Sequence, residues 1–210
     1  MRITGGSARG IPLTAPRGDR TRPATDQARE AVFSWLGDGV TGARCLDLFA
    51  GTGAYGLEAL SRGAASCIFL ENHRGTAACL RRNLEAVEKS IDASAGSSDA
   101  THAHPLAGDP RRRRARILEQ DVFRMMGFGQ PFDLVFADPP YPLWERGAGN
   151  LFFVLEPLIT TGRVILEVPG GFDPEPPGWR LLHVLGGKKA RRGGPSIRVY
   201  TRASDRPVSV

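Results

Sequence analysis

The sequence is poor in cysteine and has no long apolar run. Its three cysteines, Cys45, Cys67 and Cys79, are far apart and lie in apolar or helical surroundings. This spacing suits neither a disulfide framework nor a metal site, so we expect reduced thiols in the core and no bound metal. No segment of about 18 apolar residues is present, which predicts that no part of the chain spans a membrane. Because the first residues also lack an apolar signal segment, we expect the protein in the cytoplasm.

Lysine is also scarce, whereas arginine is abundant. Only three of the 28 basic residues are lysines, and the net charge is +6. Arginine makes bidentate contacts with phosphate and stacks on bases, and the basic residues cluster towards the two ends of the chain. This distribution favours a nucleic-acid partner. The residues expected to contact phosphates are Arg2, Arg9, Arg22, Lys188, Lys189, Arg191 and Arg192.

The order of the segments predicts one α/β domain with a short N-terminal extension. Residues 1–24 are basic and rich in glycine and proline, and their apolar positions suggest a hairpin that docks on the domain or on a partner. Residues 25–202 begin with a helix and then alternate strands with helices, which predicts a doubly wound sheet ending in an antiparallel pair. Within them, residues 90–114 break the pattern and are interpreted as a mobile surface insertion. Residues 203–210 are expected to form a flexible tail.

A stiff turn follows an apolar run near the middle of the chain. The run ends at Asp138, and two prolines follow, which remove backbone donors and stop both helix and sheet. In an open α/β sheet, ligands bind at the carboxyl ends of the strands, where this turn is expected. A flat heterocycle with an exocyclic amine would donate to Asp138 and to a carbonyl near Pro139, and would stack on Tyr141. The candidate catalytic residues are therefore Asp138, Pro139, Pro140 and Tyr141, although the first three taken alone are more typical of an ordinary proline-rich turn.

Acidic residues end four consecutive predicted strands. Asp47 precedes a glycine-rich turn with the spacing of a dinucleotide-binding motif, but an acid there suits an ammonium group better than a pyrophosphate. Glu71 and Asp121 follow the next two strands, where carboxylates can accept hydrogen bonds from ribose hydroxyls and from a purine amine. Each acid taken singly is as well explained by a turn or helix cap. Together with Asp138, however, they indicate a nucleoside that carries an amino acid, and S-adenosylmethionine fits that description.

The two motifs together resemble those of class I S-adenosylmethionine-dependent amino-methyltransferases. They read Asp47-Leu48-Phe49-Ala50-Gly51-Thr52-Gly53 and Asp138-Pro139-Pro140-Tyr141. The segment that begins Arg2-Ile3-Thr4-Gly5-Gly6 and the segment over residues 21–36 resemble the RsmD family, which methylates the N2 amine of a guanine in 16S ribosomal RNA. The resemblance covers nearly the whole chain, apart from residues 90–114 and the tail after Arg202.

This resemblance implies a fold, a cofactor and roles for individual residues. The fold would be the Rossmann-like, seven-stranded sheet of class I methyltransferases. S-adenosylmethionine would be bound by the strand ends and the first turn, and the target guanine by the second turn. The implied cofactor-binding residues are Asp47, Phe49, Ala50, Gly51, Thr52, Gly53, Glu71, Asn72, Asp121, Val122 and Asp138. The implied partner is 16S rRNA, within an assembled or assembling 30S subunit, and a monomer is the expected state.

Two other functions are compatible with the same motifs. An amino-methyltransferase could act on adenine N6 in DNA or RNA, or on a protein glutamine, but those families more often carry Asn at the position of Asp138 and lack the N-terminal block. A non-catalytic RNA-binding protein of ribosome assembly is the second alternative. The intact glycine-rich turn and the intact Asp-Pro-Pro-Tyr stretch argue against it, since a protein without catalysis has no need of them.

Overall fold

The structure is a computed structural model that describes residues 1–16, 26–95, 114–125, 127–145, 149–186 and 195–203. The strands are β1 Arg44–Leu48, β2 Ser66–Leu70, β3 Ala115–Leu118, β4 Leu134–Ala137, β5 Arg163–Val168, β6 Trp179–Leu185 and β7 Ser196–Arg202. The helices are α1 Asp26–Leu36, α2 Ala54–Ser61, α3 Arg74–Ala95, α4 Tyr141–Glu145 and α5 Gly149–Leu155. None of the helices in these ranges is long and apolar enough to cross a membrane.

The seven strands form one sheet in the order β3-β2-β1-β4-β5-β7-β6. Strands β1 to β5 run parallel to one another, whereas β7 runs antiparallel to both β5 and β6. The strand order reverses between β1 and β4, which is the switch point where α/β sheets bind ligands. The predicted doubly wound, seven-stranded fold with a terminal antiparallel pair is confirmed.

Strand β4 lies at the centre of the sheet, and all four of its residues are buried. Its side chains alternate between two apolar clusters: Leu134 and Phe136 face the cluster that contains α1 and α2, and Val135 and Ala137 face the cluster that contains α5. A strand covered on both faces has no polar side, which explains its continuous apolar sequence. The ring of Phe136 stacks on Tyr55 of α2 with the centroids 5.5 Å apart.

Helix α3 is longer than its sequence pattern suggested. It continues to Ala95, so residues 90–95, which were assigned to the insertion, are helical. The continuation is explained by Ile91, which is fully buried and extends the apolar face of the helix by one turn. At the other end of the insertion, buried Arg114 pairs with Asp92 of α3 at 2.7 Å. Residues 96–113 lie outside the described part of the chain.

The first 14 residues double back on themselves and pack against the domain. The amide of Ile3 donates to the carbonyl of Ile11, and the amide of Gly10 donates to the carbonyl of Ile3, both at 2.9 Å. Ile3 and Leu13 are buried in the same cluster as α1 and α2. This N-terminal segment therefore completes the core on one face of the sheet and is not a separate unit.

A buried carboxylate, Glu58 of α2, holds the N-terminal segment in place. It accepts hydrogen bonds from the amide and the hydroxyl of Thr4, at 2.8 and 2.7 Å. It also pairs with Arg62 at 2.8 Å and faces the buried Arg29 at 3.9 Å. Because the Glu58 side chain is fully buried, its charge depends on partners such as these for stabilisation.

Replacement of Glu58 by alanine is expected to lower the free energy of unfolding by about 3–5 kcal/mol, because it leaves buried cationic and polar groups without their acceptor. Urea denaturation would measure the loss. The exposed Glu30 of α1 provides a matched control, and Glu30→Ala is expected to change stability by no more than about 0.5 kcal/mol. Equal effects of the two substitutions would show that Glu58 does not anchor the segment.

Candidate active site

The carboxyl ends of β1, β2, β3 and β4 meet at one edge of the sheet, and the candidate residues follow these ends. Because β1 lies between β2 and β4, the first turn after β1 is adjacent to both the β2 end and the β4 end. Asp47 lies within β1, Glu71 follows β2, and Asp138 follows β4 directly. The structure thus brings together the acids that the sequence placed at strand ends.

The glycine-rich turn after β1 has an unusual backbone. Phe49, Gly51 and Gly53 have positive φ angles of 57°, 56° and 82°. At Gly53 a Cβ atom would lie 2.2 Å from Cδ1 of Leu80, so only glycine fits both the conformation and the space. Phe49 is the only non-glycine residue with positive φ in the described ranges, and such strain is typical of ligand-binding turns.

Carboxylates from two strands support this turn. The amide of Gly51 donates to Oε2 of Glu71 at 2.9 Å, and the amide of His73 donates to Oε1 at 2.7 Å. The amide of Gly56, in the first turn of α2, donates to Oδ2 of Asp47 at 2.9 Å. Burial raises the pKa of Asp47 well above its usual value, and the negative charges of Asp138 and Glu71 raise it further. The hydrogen bond from the Gly56 amide acts in the opposite direction but does not offset this increase.

The remaining cofactor candidates lie around the same edge. Asp121 caps the single turn Val122–Arg124 through the amide of Phe123, at 2.9 Å, and Val122 is buried beneath it. The centroid of the Phe123 ring lies 6.4 Å from that of Phe49, so the turn after β3 packs near the turn after β1. Asn72 is exposed beside Glu71. Asp47, Glu71 and Asp121 therefore all serve as caps or turn supports, in addition to any contact with a ligand.

The turn after β4 combines a half-buried acid, Asp138, with an exposed ring. Pro139 is buried, and the carbonyl of Pro140 accepts from the amide of Leu143 at 2.9 Å, which fixes the start of α4. Tyr141 is the first residue of α4 and its side chain is 55% exposed, so a flat ligand has access to the ring. Burial, together with the charge of Glu167 on β5, raises the pKa of Asp138 to about 8.

Three residues at this edge were not identified from the sequence. Asn83 of α3 is buried and its amide group donates to the carbonyls of Thr52 and Thr14, both at 3.0 Å. It thereby links the glycine-rich turn to the N-terminal segment. Tyr55 of α2 and Glu167 of β5 lie on the same face of the sheet as Asp138. Their sequence signals are weak: Asn83 is one of many polar residues in the amphipathic α3, whereas Tyr55 and Glu167 belong to elements that are mostly apolar.

Of the predicted phosphate contacts, the structure describes two. Arg2 and Arg9 are exposed on the N-terminal segment. The other predicted contacts lie outside the described residues; they are Arg22, Lys188, Lys189, Arg191 and Arg192. In the described part of the chain, no group of three or more His, Cys, Asp or Glu side chains is arranged to hold a metal ion.

Comparison with known proteins identifies the family. The family model described as conserved hypothetical protein 95 matches residues 1–165. Ribosomal RNA small subunit methyltransferase D of Escherichia coli strain K12 is 36% identical over 211 residues, covering 96% of this chain and 90% of that protein. The chain belongs to the RsmD family. The family resemblance seen in the sequence motifs is thus confirmed.

Two further relatives support membership of the RsmD family. The putative rRNA methyltransferase YlbH of Bacillus subtilis is 36% identical over 141 residues, which is 67% of each chain. The solved structure described as putative methyltransferase yhhF from Escherichia coli superimposes with a TM-score of 0.71 at 30% identity. The superposition covers 98% of this chain and 99% of the chain of the solved structure. The methyltransferase fold therefore extends over essentially the whole length of the chain.

Replacing Asp138 by asparagine is expected to make the protein more stable than wild type at alkaline pH. The unfolded carboxyl group titrates near pH 3.8, whereas the folded one keeps its proton to about pH 8. Between these values the unfolded state binds fewer protons, so the wild-type free energy of unfolding falls as pH rises. Asparagine does not titrate, and its advantage is expected to grow by at least about 1 kcal/mol between pH 5 and pH 8.

Denaturation by urea at several pH values measures this effect. The exposed Asp38 provides the control, and Asp38→Asn is expected to follow the wild-type pH dependence. If Asp138→Asn also followed it, Asp138 would titrate as an ordinary exposed acid.

Proposed function

We propose that this protein transfers a methyl group from S-adenosylmethionine to the exocyclic N2 amine of a guanine in 16S ribosomal RNA. The observation that carries the proposal is the position of the Asp138–Tyr141 turn beside the glycine-rich turn of β1, in a chain that belongs to the RsmD family. The names of the relatives supply the class of substrate, ribosomal RNA of the small subunit. The chemistry of the turn indicates an exocyclic amine as the methyl acceptor, and the choice of guanine N2 follows from the resemblance to the RsmD family.

The residues of the edge fit S-adenosylmethionine. At Gly51 and Gly53 the turn after β1 lets its backbone come close to a ligand, because these two residues carry no side chain. Each carboxylate oxygen of Glu71 accepts one hydrogen bond from a backbone amide and has a further lone pair for a ribose hydroxyl. Asp47 would pair with an amino acid's ammonium group, whose positive charge favours the ionised form of this buried carboxyl group, and Asp121 with Val122 would flank the adenine. When bound, this cofactor supplies a methyl group on a positively charged sulfur.

Asp138 and Tyr141 would bind the target base. An exocyclic amine has two N–H donors, and Asp138 and a carbonyl of the proline turn accept one each. With both hydrogens held, the nitrogen lone pair is directed out of the turn, towards the end of β1. The exposed ring of Tyr141 provides a stacking face for a base that has left its helix. Single-stranded or looped RNA makes this displacement less costly.

The N-terminal segment would bring RNA phosphates close to the cofactor turn. It is linked to Thr52 through Asn83, which bonds both Thr14 and Thr52. Arg2 and Arg9 on this segment are exposed. The segment therefore offers positive charge that is fixed relative to the site. We further propose a monomer that acts in the cytoplasm, on rRNA within an assembled or assembling 30S subunit.

Methyl transfer to unmodified 30S subunits tests the proposal directly. With methyl-labelled S-adenosylmethionine and digestion of the product to nucleosides, label is expected in N2-methylguanosine. Asp138→Ala is expected to lower the rate by a factor of at least about 100, because it removes an acceptor that acts on the reacting amine. Cofactor affinity, measured by calorimetry, is expected to change by less than about threefold.

Asp38→Ala is the control and is expected to retain wild-type activity. Label in N6-methyladenosine would exclude guanine as the target. Loss of cofactor binding in Asp138→Ala, with an unchanged rate per bound cofactor, would contradict the role assigned to the turn.

The salt dependence of RNA binding tests the N-terminal segment. Replacing Arg9 by glutamine is expected to weaken binding to all RNA sequences and to reduce the slope of log affinity against log salt by about 1, since one phosphate contact is lost. The exposed Arg180 on the edge strand β6 is the control, and Arg180→Gln is expected to leave the slope unchanged. Equal slopes in the wild type and Arg9→Gln would exclude Arg9 from the RNA interface.

A further inference from the structure

A second acid lies beside Asp138 at the end of the neighbouring strand. Strands β4 and β5 are parallel, and Ala137 pairs with Leu166. The residues that follow this pair are Asp138, directly after β4, and Glu167, in β5, and they lie side by side at the carboxyl edge of the sheet. Alternation along the strands places both side chains on the sheet face that carries Phe136, the face covered by α1 and α2.

Glu167 has no hydrogen-bond donor for one of its oxygens. Its Oε2 atom is buried and has no hydrogen-bond partner in the part of the chain that the structure describes. The hydroxyl oxygen of Tyr55, which lies on the same face, is also buried and without a partner there. A buried, unsatisfied carboxylate oxygen is costly, and such groups are retained chiefly where they act on a neighbour.

We propose that Glu167 is a positioning residue of the methyl-transfer reaction, and that it acts through Asp138 by making it a better acceptor for the proton of the target amine. The proposal rests on the function proposed above, since it concerns the same amine. The buried Oε2 atom of Glu167 is turned away from solvent, so in this proposal Glu167 acts on the reaction through Asp138.

The reaction needs such an acceptor after the new bond has formed. The lone pair of N2 attacks the methyl carbon as the bond from that carbon to sulfur breaks, and the bonding pair stays on sulfur. Sulfur becomes neutral, and the positive charge moves to N2, which still carries two hydrogens. One of these protons passes to the Asp138 carboxylate and then to water, which leaves a neutral methylated amine.

Charges around Asp138 favour this role for Glu167. Asp47 of β1 and Glu167 of β5 contribute negative charge, whereas Arg29 of α1 contributes positive charge near Tyr55 of α2. The residue of β7 opposite Glu167 is the uncharged Ile197. Burial raises the pKa of both carboxyl groups of the pair, and the Glu167 charge adds to the increase at Asp138.

The pH dependence of kcat/KM, which reports ionisation in the free enzyme, tests the inference. For the wild type acting on unmodified 30S subunits, kcat/KM is expected to rise with pH up to about 8 as Asp138 loses its proton. Glu167→Gln removes the neighbouring charge, which lowers the pKa of Asp138. The midpoint of the rise is therefore expected to move to lower pH by roughly one unit or more.

Two control variants separate charge from structure. Glu167→Asp keeps the charge, and its midpoint is expected to stay closer to that of the wild type than to that of Glu167→Gln. Glu175→Gln removes an exposed carboxylate elsewhere and is expected to leave the midpoint unchanged. An unshifted midpoint in Glu167→Gln, or the same shift in Glu175→Gln, would overturn the inference.

Titration of the carboxyl carbons by NMR, without RNA, gives an answer that does not depend on activity. The Asp138 signal is assigned by its absence from Asp138→Asn. In the wild type, Asp138 and Glu167 are expected to titrate in two linked steps, each signal responding to both. Independent titrations would overturn the inference even if Glu167→Gln did not fold. Linked titrations without formation of N2-methylguanosine would reject the proposed function alone.

Discussion

The register of β4 between β1 and β5 determines which face of the sheet the acidic side chains occupy at the carboxyl ends of these strands. Side chains alternate along a strand, so a shift of one residue would turn each of them to the opposite face. In the observed register Asp47 lies beside Phe136, and Ala137 lies beside Leu166. The acids of the three strands therefore share one face, where Asp47 is buried and Asp138 and Glu167 are half-buried. Their raised pKa values are a direct consequence of that pairing.

Such a group of acids is unfavourable for folding, and the apolar layers on both sides of the sheet must offset it. Strand β4 is buried on both faces, and the cluster around Phe136 joins α1, α2 and the N-terminal segment. Helix α2 connects the site edge of the sheet with the N-terminal segment. It begins after the glycine-rich turn and carries both Tyr55, near the acids, and Glu58, which binds the segment. Packing that stabilises the domain thus also fixes the positions of the reactive groups.

Much of this arrangement was accessible from sequence because its signals are local. The run that ends at Asp138 and the glycines after Asp47 each define a strand end within a few residues. The partners of Glu58, Asn83 and Glu167 were not accessible, because each depends on contacts between segments far apart in the chain. Glu167 in particular lies in a strand with the sequence RVILEV, where one acid gives no indication of a neighbouring carboxyl group.

The anchoring of the N-terminal segment has a consequence for synthesis of the chain. Thr14 bonds to Asn83, 69 residues further on, and Ser7 accepts from Ser94, 87 residues further on. A ribosome adding about 5–20 residues per second needs roughly 4–17 s to cover the longer interval. Until that interval has passed, the segment lacks its native contacts with the C-terminal part of α3, so its apolar side chains are incompletely covered and open to aggregation and proteolysis.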